Sequence, residues 1–203
     1  MRLPVDPTAA YLVVLLWTSL PFTPAEPVLV LGGSWSATGA LWLPLVIAAS
    51  AVGSLISDLV KYAVGWYAGP ALLARLRRRP AGARAADWVE ARMRTAGAGV
   101  IVPSYFVPVG VVVSTVLCGA LRLPVGAVVR ASIVGAVLWS AMYVLIGYAG
   151  GRVTGDPLLG LAIGMPAALV LGALLARRAR ARSAEDRRRA AAATPPVSDP
   201  GSP

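Results

Sequence analysis

The sequence contains no histidine and a single cysteine, Cys118. Without histidine the chain cannot build a Ser-His-Asp triad, a histidine acid–base site or most zinc sites. One cysteine excludes a disulfide within the chain. Only two acids, Glu26 and Asp58, lie within apolar stretches, which is too few for a transition-metal cage. We therefore expect no enzyme, no metal site and no cofactor.

Charge is also scarce, at 14% of residues, whereas hydrophobic residues make up 57% and the mean hydropathy is +0.71. A soluble domain carries about 25% charged residues. Residues 157–176 carry no charge and as a helix would span about 30 Å, the thickness of a hydrocarbon core. Four further stretches are similarly apolar: 8–33, 41–69, 97–121 and 123–151. The composition predicts an all-α, multi-pass membrane protein.

The predicted domain organisation is simple. Residues 1–10 form an N-terminal segment, 11–178 a membrane domain, and 179–203 a basic, proline-rich tail with too little apolar content to pack. Cleavage of the first thirty residues as a signal peptide is disfavoured, because Arg2 is offset by Asp6 and no small-x-small site follows.

Basic residues form two blocks, at 75–94 and 177–189. The positive-inside rule predicts that both blocks, and hence the C-terminal tail, are cytoplasmic. Basic residues beside membrane segments usually meet anionic lipid headgroups, so we expect lipids and not nucleic acid as partners. Residues 84–96 alternate apolar and charged faces, which predicts an amphipathic helix on the cytoplasmic surface or, alternatively, a solvated connector.

Three apolar segments separate the basic blocks, so one of them must enter and leave on the same side. Residues 97–121 are the best candidate because Pro103, Pro108 and Gly110 interrupt the helix. We predict a re-entrant helical hairpin there. Broken backbone at membrane depth is tolerated only against protein or water.

The first apolar segment, 8–33, is predicted to be a second re-entrant hairpin, broken at Pro21 and Pro24. Thr23, Pro24 and Glu26 match a capping box, with threonine as N-cap and glutamate at N3. The helix that would begin at Pro24 is too short to span the membrane. Paired broken segments in two halves of a chain are the best sequence pointer to a membrane binding site.

The two intramembrane acids each cost about 2.5–3.5 kcal/mol to insert. Glu26 is predicted to be a proton carrier or lipid-site acid, and the capping role is its alternative. Asp58 is either a second proton site or a structural acid near the cytoplasmic end of its helix, paired with Lys61 or hydrogen bonded by Tyr62. Lys61 itself is expected to snorkel to the interface.

Four landmarks between Tyr11 and Arg152 resemble the DedA family, also called the VTT-domain or SNARE-associated membrane proteins. They are Pro21-Phe-Thr-Pro24-Ala-Glu26, Gly53-Ser-Leu-Ile-Ser-Asp58-Leu-Val-Lys-Tyr62-Ala-Val-Gly65, Phe106-Val-Pro108-Val-Gly110 followed by Cys118-Gly-Ala-Leu-Arg-Leu-Pro124, and Gly135-Ala-Val-Leu-Trp139-Ser-Ala-Met-Tyr143-Val-Leu-Ile-Gly147-Tyr-Ala-Gly150. The order and spacing of the landmarks carry the resemblance.

The resemblance implies two opposed re-entrant hairpins among transmembrane helices, with the family's essential acids at Glu26 and Asp58. It also implies arginines near positions 105 and 111, where this chain has Tyr105 and Val111. An arginine there would suit a lipid phosphate.

Arg122 and Arg130 are candidates to replace that positive charge and to contact a lipid headgroup. Tyr105 is either a third headgroup contact or, the favoured interpretation, a packing residue.

The resulting prediction is an inner-membrane lipid transporter, a flippase or scramblase of polyprenyl phosphate or phospholipid, with Glu26 and Asp58 exchanging protons. The alternative is a non-transporting membrane homeostasis or scaffold protein that kept the fold without the arginine-dependent chemistry. The sequence leaves a homo-oligomer open.

Overall fold

The computed structural model describes residues 6–78, 97–106 and 110–167, together with single positions between and beyond these ranges. Every regular element in those residues is helical. A 3-10 turn at Gly97–Val100 precedes the fourth helix. The helices are α1 (Pro7–Ser19), α2 (Glu26–Ala37), α3 (Leu43–Arg77), α4 (Ile101–Ser104), α5 (Gly110–Ala120), α6 (Val125–Thr154) and α7 (Pro157–Ala167). The predicted amphipathic helix (84–96), Pro108 and the tail after 178 lie outside the continuously described ranges.

Two helices are long and apolar enough to cross a bilayer: α3, through its segment Leu43–Ala71, and α6. The outer face of α3 carries an apolar side chain at every fourth position, and each is 41–48% exposed: Val52, Ile56, Val60 and Val64. Four-residue spacing places these side chains on one helix face. An apolar stripe exposed on a helix of this length is the surface that lipid chains cover.

Helices α1 and α2 form the first hairpin. With 13 and 12 residues they extend about 20 Å each, too short to span a bilayer. At its start α1 lies beside the start of α3, where the Trp42 amide donates to the Tyr11 hydroxyl at 2.7 Å. At its end α1 packs against Gly53. The chain then reverses and α2 returns to the beginning of α3, so this segment is re-entrant, as predicted.

The break between α1 and α2 contains Pro21 and Pro24, but the predicted capping box does not form. Helix α2 begins at Glu26, and its N-cap Ala25 makes no side-chain capping bond. The Thr23 hydroxyl instead donates to the Leu20 carbonyl at 3.1 Å. Because α2 begins two residues later than a capping box requires, Thr23 is not its N-cap, and the Thr23 hydroxyl is bonded to the end of α1.

Residues 97–104 and α5 form the second interrupted segment. It enters the protein from the end of α3, opposite to the side from which the first hairpin enters. Helix α5 runs beside the second half of α3, with Val116 against Gly65 and Ala120 against Gly69. It ends where α6 begins. Pro103 lies inside the short helix α4 and not in the break, and Gly110 is the first residue of α5.

The two halves form an inverted repeat that the sequence indicated only weakly. Contact glycines of α3 at positions 53, 65 and 69 recur in α6 at 135, 147 and 151, each 82 residues later. Gly65 meets the Val116 carbonyl of α5, and Gly147 meets the Val30 carbonyl of α2. Because α3 and α6 run in opposite directions, the two halves are related by inverted topology.

Helix α7 runs back along α6, with Gly160 beside Gly151 and Gly164 beside Ile146. Its described part therefore heads towards the membrane side on which α3 ends with Arg75 and Arg77. The parity argument required the second interrupted segment to return to its own side, and α5 does so.

Replacing Gly147 by alanine should lower the free energy of unfolding by about 1–3 kcal/mol, because the new methyl group collides with the Val30 carbonyl. Thermal unfolding of the detergent-solubilised protein measures the effect. Gly99→Ala is the matched control, since nothing lies within 4 Å of a Cβ at that position. Equal melting temperatures for the two variants would contradict the close helix contact.

Candidate functional site

Asp58 and Lys61, in the middle of α3, form a polar cluster with Tyr105, which follows α4. The Lys61 Nζ atom is 2.8 Å from Asp58 Oδ1, and the side chains of lysine and aspartate are only 8% and 1% exposed. The Tyr105 hydroxyl donates to Asp58 Oδ2 at 2.6 Å. Each carboxylate oxygen of Asp58 thus has one donor, as a buried ionised acid requires.

The structure corrects two sequence interpretations of this cluster. Lys61 does not snorkel to the interface, because it is buried and its ammonium group turns to Asp58, one turn away. Asp58 does not lie near the end of its helix but at the centre of the 29-residue span Leu43–Ala71. The ion pair with Lys61 that the structural alternative predicted is present, but it is buried and lies midway along the membrane-spanning segment.

Tyr105 reaches Asp58 because the tip of the second interrupted segment inserts between α3 and α6. Its ring lies against Gly135, where any side chain would occupy the same space. The neighbouring Ser104 hydroxyl is 2.7 Å from that of Ser114, which ties the two arms of the segment together. Sequence reasoning favoured simple packing for Tyr105, and it proposed Tyr62 as the donor to Asp58. Tyr62 instead donates to the Leu123 carbonyl at 2.8 Å.

Glu26 occupies the corresponding place at the tip of the first hairpin. It is the first residue of α2 and is half-buried. No hydrogen bond or ion pair links its carboxylate to any side chain that the structure describes. Tyr143 of α6 interacts electrostatically with Glu26 and packs in the same hydrophobic cluster as Ala25.

An aromatic row connects the two acids. The Trp139 ring centroid is 6.0 Å from that of Tyr105 and 5.1 Å from that of Tyr143. Asp58 contacts one end of this row and Glu26 faces the other. The sequence analysis did not assign Trp139 or Tyr143 to the site. Their four-residue spacing on α6 was the available signal, since it places both rings on one helix face.

Arg122 and Arg130 are exposed and neither bonds to Asp58. Arg122 lies in the turn between α5 and α6, with its guanidinium carbon 4.9 Å from the Trp66 ring centroid. The cation beside Asp58 is Lys61. The predicted headgroup contacts of Arg122 and Arg130 remain predictions.

Four buried hydroxyls have no hydrogen-bond partner among the described residues: Ser34, Thr115, Ser132 and Ser140. Ser140 stands 82 residues after Asp58, so it is the inverted-repeat counterpart of the acid. These groups make the helix interface more polar than the outer faces of α3 and α6. Among the described residues no group of three His, Cys, Asp or Glu side chains is placed to hold a metal ion.

Comparison with known proteins gives two matches. The VTT domain matches residues 23–149, more than half of the chain. Inner membrane protein YohD of Escherichia coli (strain K12) is 32% identical over 131 residues, which cover 63% of this chain and 65% of YohD, just under two thirds of its length. No solved structure matches the chain.

Replacing Lys61 by methionine should destabilise the protein by about 3–5 kcal/mol, because Asp58 then stays buried without a counter-ion. The double variant Asp58→Asn, Lys61→Met should be more stable than the single variant, since it removes both charges. Thermal unfolding in detergent measures both.

The control is Asp87→Asn, which weakens the exposed Arg77–Asp87 pair and should cost no more than about 1 kcal/mol. A double variant that is less stable than Lys61→Met alone would contradict the buried ion pair.

Proposed function

We propose that this chain, which belongs to the VTT (DedA) family of integral membrane proteins, translocates lipids across the bacterial inner membrane. The substrate class is a lipid with a phosphate-containing headgroup, either a phospholipid or a polyprenyl phosphate. The inner-membrane relative and the two membrane-spanning helices support the location. The positive-inside rule supports a cytoplasmic C-terminal end.

The observation that carries the proposal is the buried cluster of Asp58, Lys61 and Tyr105. Charged groups inside a membrane segment are costly, and they are typical of ion and substrate pathways. Here they lie at the tip of a broken helical segment, about midway along α3. Inverted repeats with broken helices place transport sites at this depth in other membrane proteins. A headgroup crossing at this point would find polar partners while its acyl chains stay in lipid.

Lys61 is the group that would hold the headgroup phosphate. In the structure its ammonium group is neutralised by Asp58 at 2.8 Å. Protonation of Asp58 removes that negative charge and leaves the ammonium group to pair with a phosphate oxygen. Loss of the proton restores the Asp58–Lys61 pair and releases the phosphate. Proton binding and lipid binding are then linked through a single carboxylate.

Glu26 is the second proton candidate. Its carboxylate begins α2 at the tip of the opposite hairpin, without a donor among the side chains that the structure describes. The aromatic row of Tyr105, Trp139 and Tyr143 lies between the two acids, so a headgroup passing one tip is near the other.

A non-transporting homeostasis or scaffold role is the second candidate. It is favoured by Tyr105 and Val111, which stand where the family resemblance implies arginines. In this role the hydrogen bond from Tyr105 to Asp58 would only fix the second interrupted segment against α3. The two functions differ in whether the purified protein moves lipid.

Reconstitution into vesicles with fluorescent headgroup-labelled phospholipid tests the proposal. The wild-type protein should expose inner-leaflet label to a membrane-impermeant quencher faster than empty vesicles do. Asp58→Asn and Glu26→Gln should each slow the rate about ten-fold or more, because each removes a carboxylate on which the proposed proton exchange depends.

Asp156→Asn is the matched control. Asp156 caps α7 by accepting from the Leu158 and Leu159 amides, and asparagine is an equally good cap. The control should keep the wild-type rate. Wild-type rates equal to those of empty vesicles would exclude translocation of this lipid, and two acid variants as fast as wild type would exclude the proton role.

A further inference from the structure

A shallow groove lies on the outside of the protein where α3 passes the start of α6. It has a volume of about 220 Å³ and is lined by Tyr62, Ala63, Trp66, Tyr67 and Val125. Tyr67 is 83% exposed. The groove is thus open to the surroundings of the protein, and Asp58, Lys61, Tyr105 and Glu26 are not among its lining residues.

Arg122 provides a fixed positive charge at the edge of this groove. Its backbone is in the left-handed region, with φ of 54°, in the turn between α5 and α6. Its guanidinium group stacks 4.9 Å from the Trp66 ring centroid. Trp66 in turn lies 5.8 Å from the Tyr62 ring, and the Tyr62 hydroxyl is bonded to the Leu123 carbonyl. The guanidinium group is therefore held against Trp66, whose ring packs on Tyr62.

No carboxylate neutralises Arg122 within the part of the chain that the structure describes. The ion pairs there are Lys61–Asp58 and Arg77–Asp87. A second exposed arginine, Arg130, extends a guanidinium nitrogen back towards Gly126, which follows the groove residue Val125. Two positive charges without acidic partners thus flank an apolar and aromatic groove.

The position of the groove along the helices matches a membrane interface. Tryptophan and tyrosine are enriched at headgroup level, and arginines in a span turn their guanidinium groups to the nearer surface. The same end of α3 carries Arg75 and Arg77. The positive-inside rule predicts that this end faces the cytoplasm.

We propose that this groove binds an anionic phospholipid of the adjacent leaflet. The phosphate pairs with the Arg122 guanidinium group, Arg130 adds a second charge, and one acyl chain lies along Ala63 and Val125. Charge complementarity selects an anionic lipid over a zwitterionic one. The aromatic and apolar walls favour a lipid over a soluble phosphate, which would use the arginine alone.

The inference goes beyond the proposed function, since the groove can select a lipid whether or not the protein translocates it. Binding is measured at equilibrium and translocation as a rate, so failure of one is distinguishable from failure of the other.

Native mass spectrometry of the full chain, released from detergent with added phosphatidylglycerol or phosphatidylcholine, tests the proposal. The wild-type protein should bind phosphatidylglycerol about ten-fold more tightly than phosphatidylcholine, because both lipids offer a phosphate but the choline cation of the second is repelled by the two arginines; ten-fold is the ratio expected for one charge-assisted interaction. Arg122→Asn should remove most of the preference and leave the smaller contribution of Arg130. Asparagine tolerates the left-handed backbone at this position, so the substitution removes the charge while keeping the turn.

Arg152→Asn is the matched control, because Arg152 is an exposed arginine at the opposite end of α6. It should keep the wild-type preference. Arg130→Gln should reduce the preference for phosphatidylglycerol, because it removes the second charge. Arg122→Lys should retain part of the preference, because it keeps the charge and loses the planar guanidinium group.

Glycerol phosphate at the lipid concentration should not displace phosphatidylglycerol. Equal binding of the two lipids, equal losses in Arg122→Asn and Arg152→Asn, or displacement by glycerol phosphate would each overturn the proposal.

Discussion

The need to neutralise one carboxylate at mid-membrane depth organises this protein. Asp58 is almost completely buried and takes one donor from its own helix, Lys61, and one from a distant segment, Tyr105. The second donor requires the tip of the broken segment to lie between α3 and α6. That insertion in turn requires a glycine at position 135, because the Tyr105 ring occupies the space of a side chain. Electrostatics and packing therefore fix the same contact.

The broken helices impose a second constraint, since unpaired backbone groups cannot face lipid. Both short arms pack against the long helices through backbone contacts at glycines, Gly65 for α5 and Gly147 for α2. These glycines are equally spaced in the two halves, so hairpins that enter from opposite sides pack against the long helices through the same kind of glycine–carbonyl contact. Buried hydroxyls such as that of Ser140 make the helix interfaces polar, whereas the outer helix faces are apolar.

Composition and parity predicted much of the fold, because the cost of inserting charge is a local property of the sequence. The membrane class, the family and the interrupted segments followed from residue content and order. The partners of Asp58 did not, since Tyr105 is 47 positions away and only tertiary packing brings it near. The capping box does not form because α2 begins at Glu26 with Ala25 as its N-cap, so Thr23 lies outside the helix end. The burial of Lys61 was missed because a lysine in an apolar run fits an interface equally well.

The proposed function requires lipid headgroups to reach the cluster of Asp58, Lys61 and Tyr105. Photo-cross-linking can detect this contact, with a phospholipid that carries a photoreactive group in its headgroup and with peptide mapping of the adducts on the reconstituted protein. We expect adducts on Tyr105 and on the α3 segment around Asp58, in addition to those at the ends of the helices. Adducts confined to the ends of α3 and α6 would contradict the proposed function.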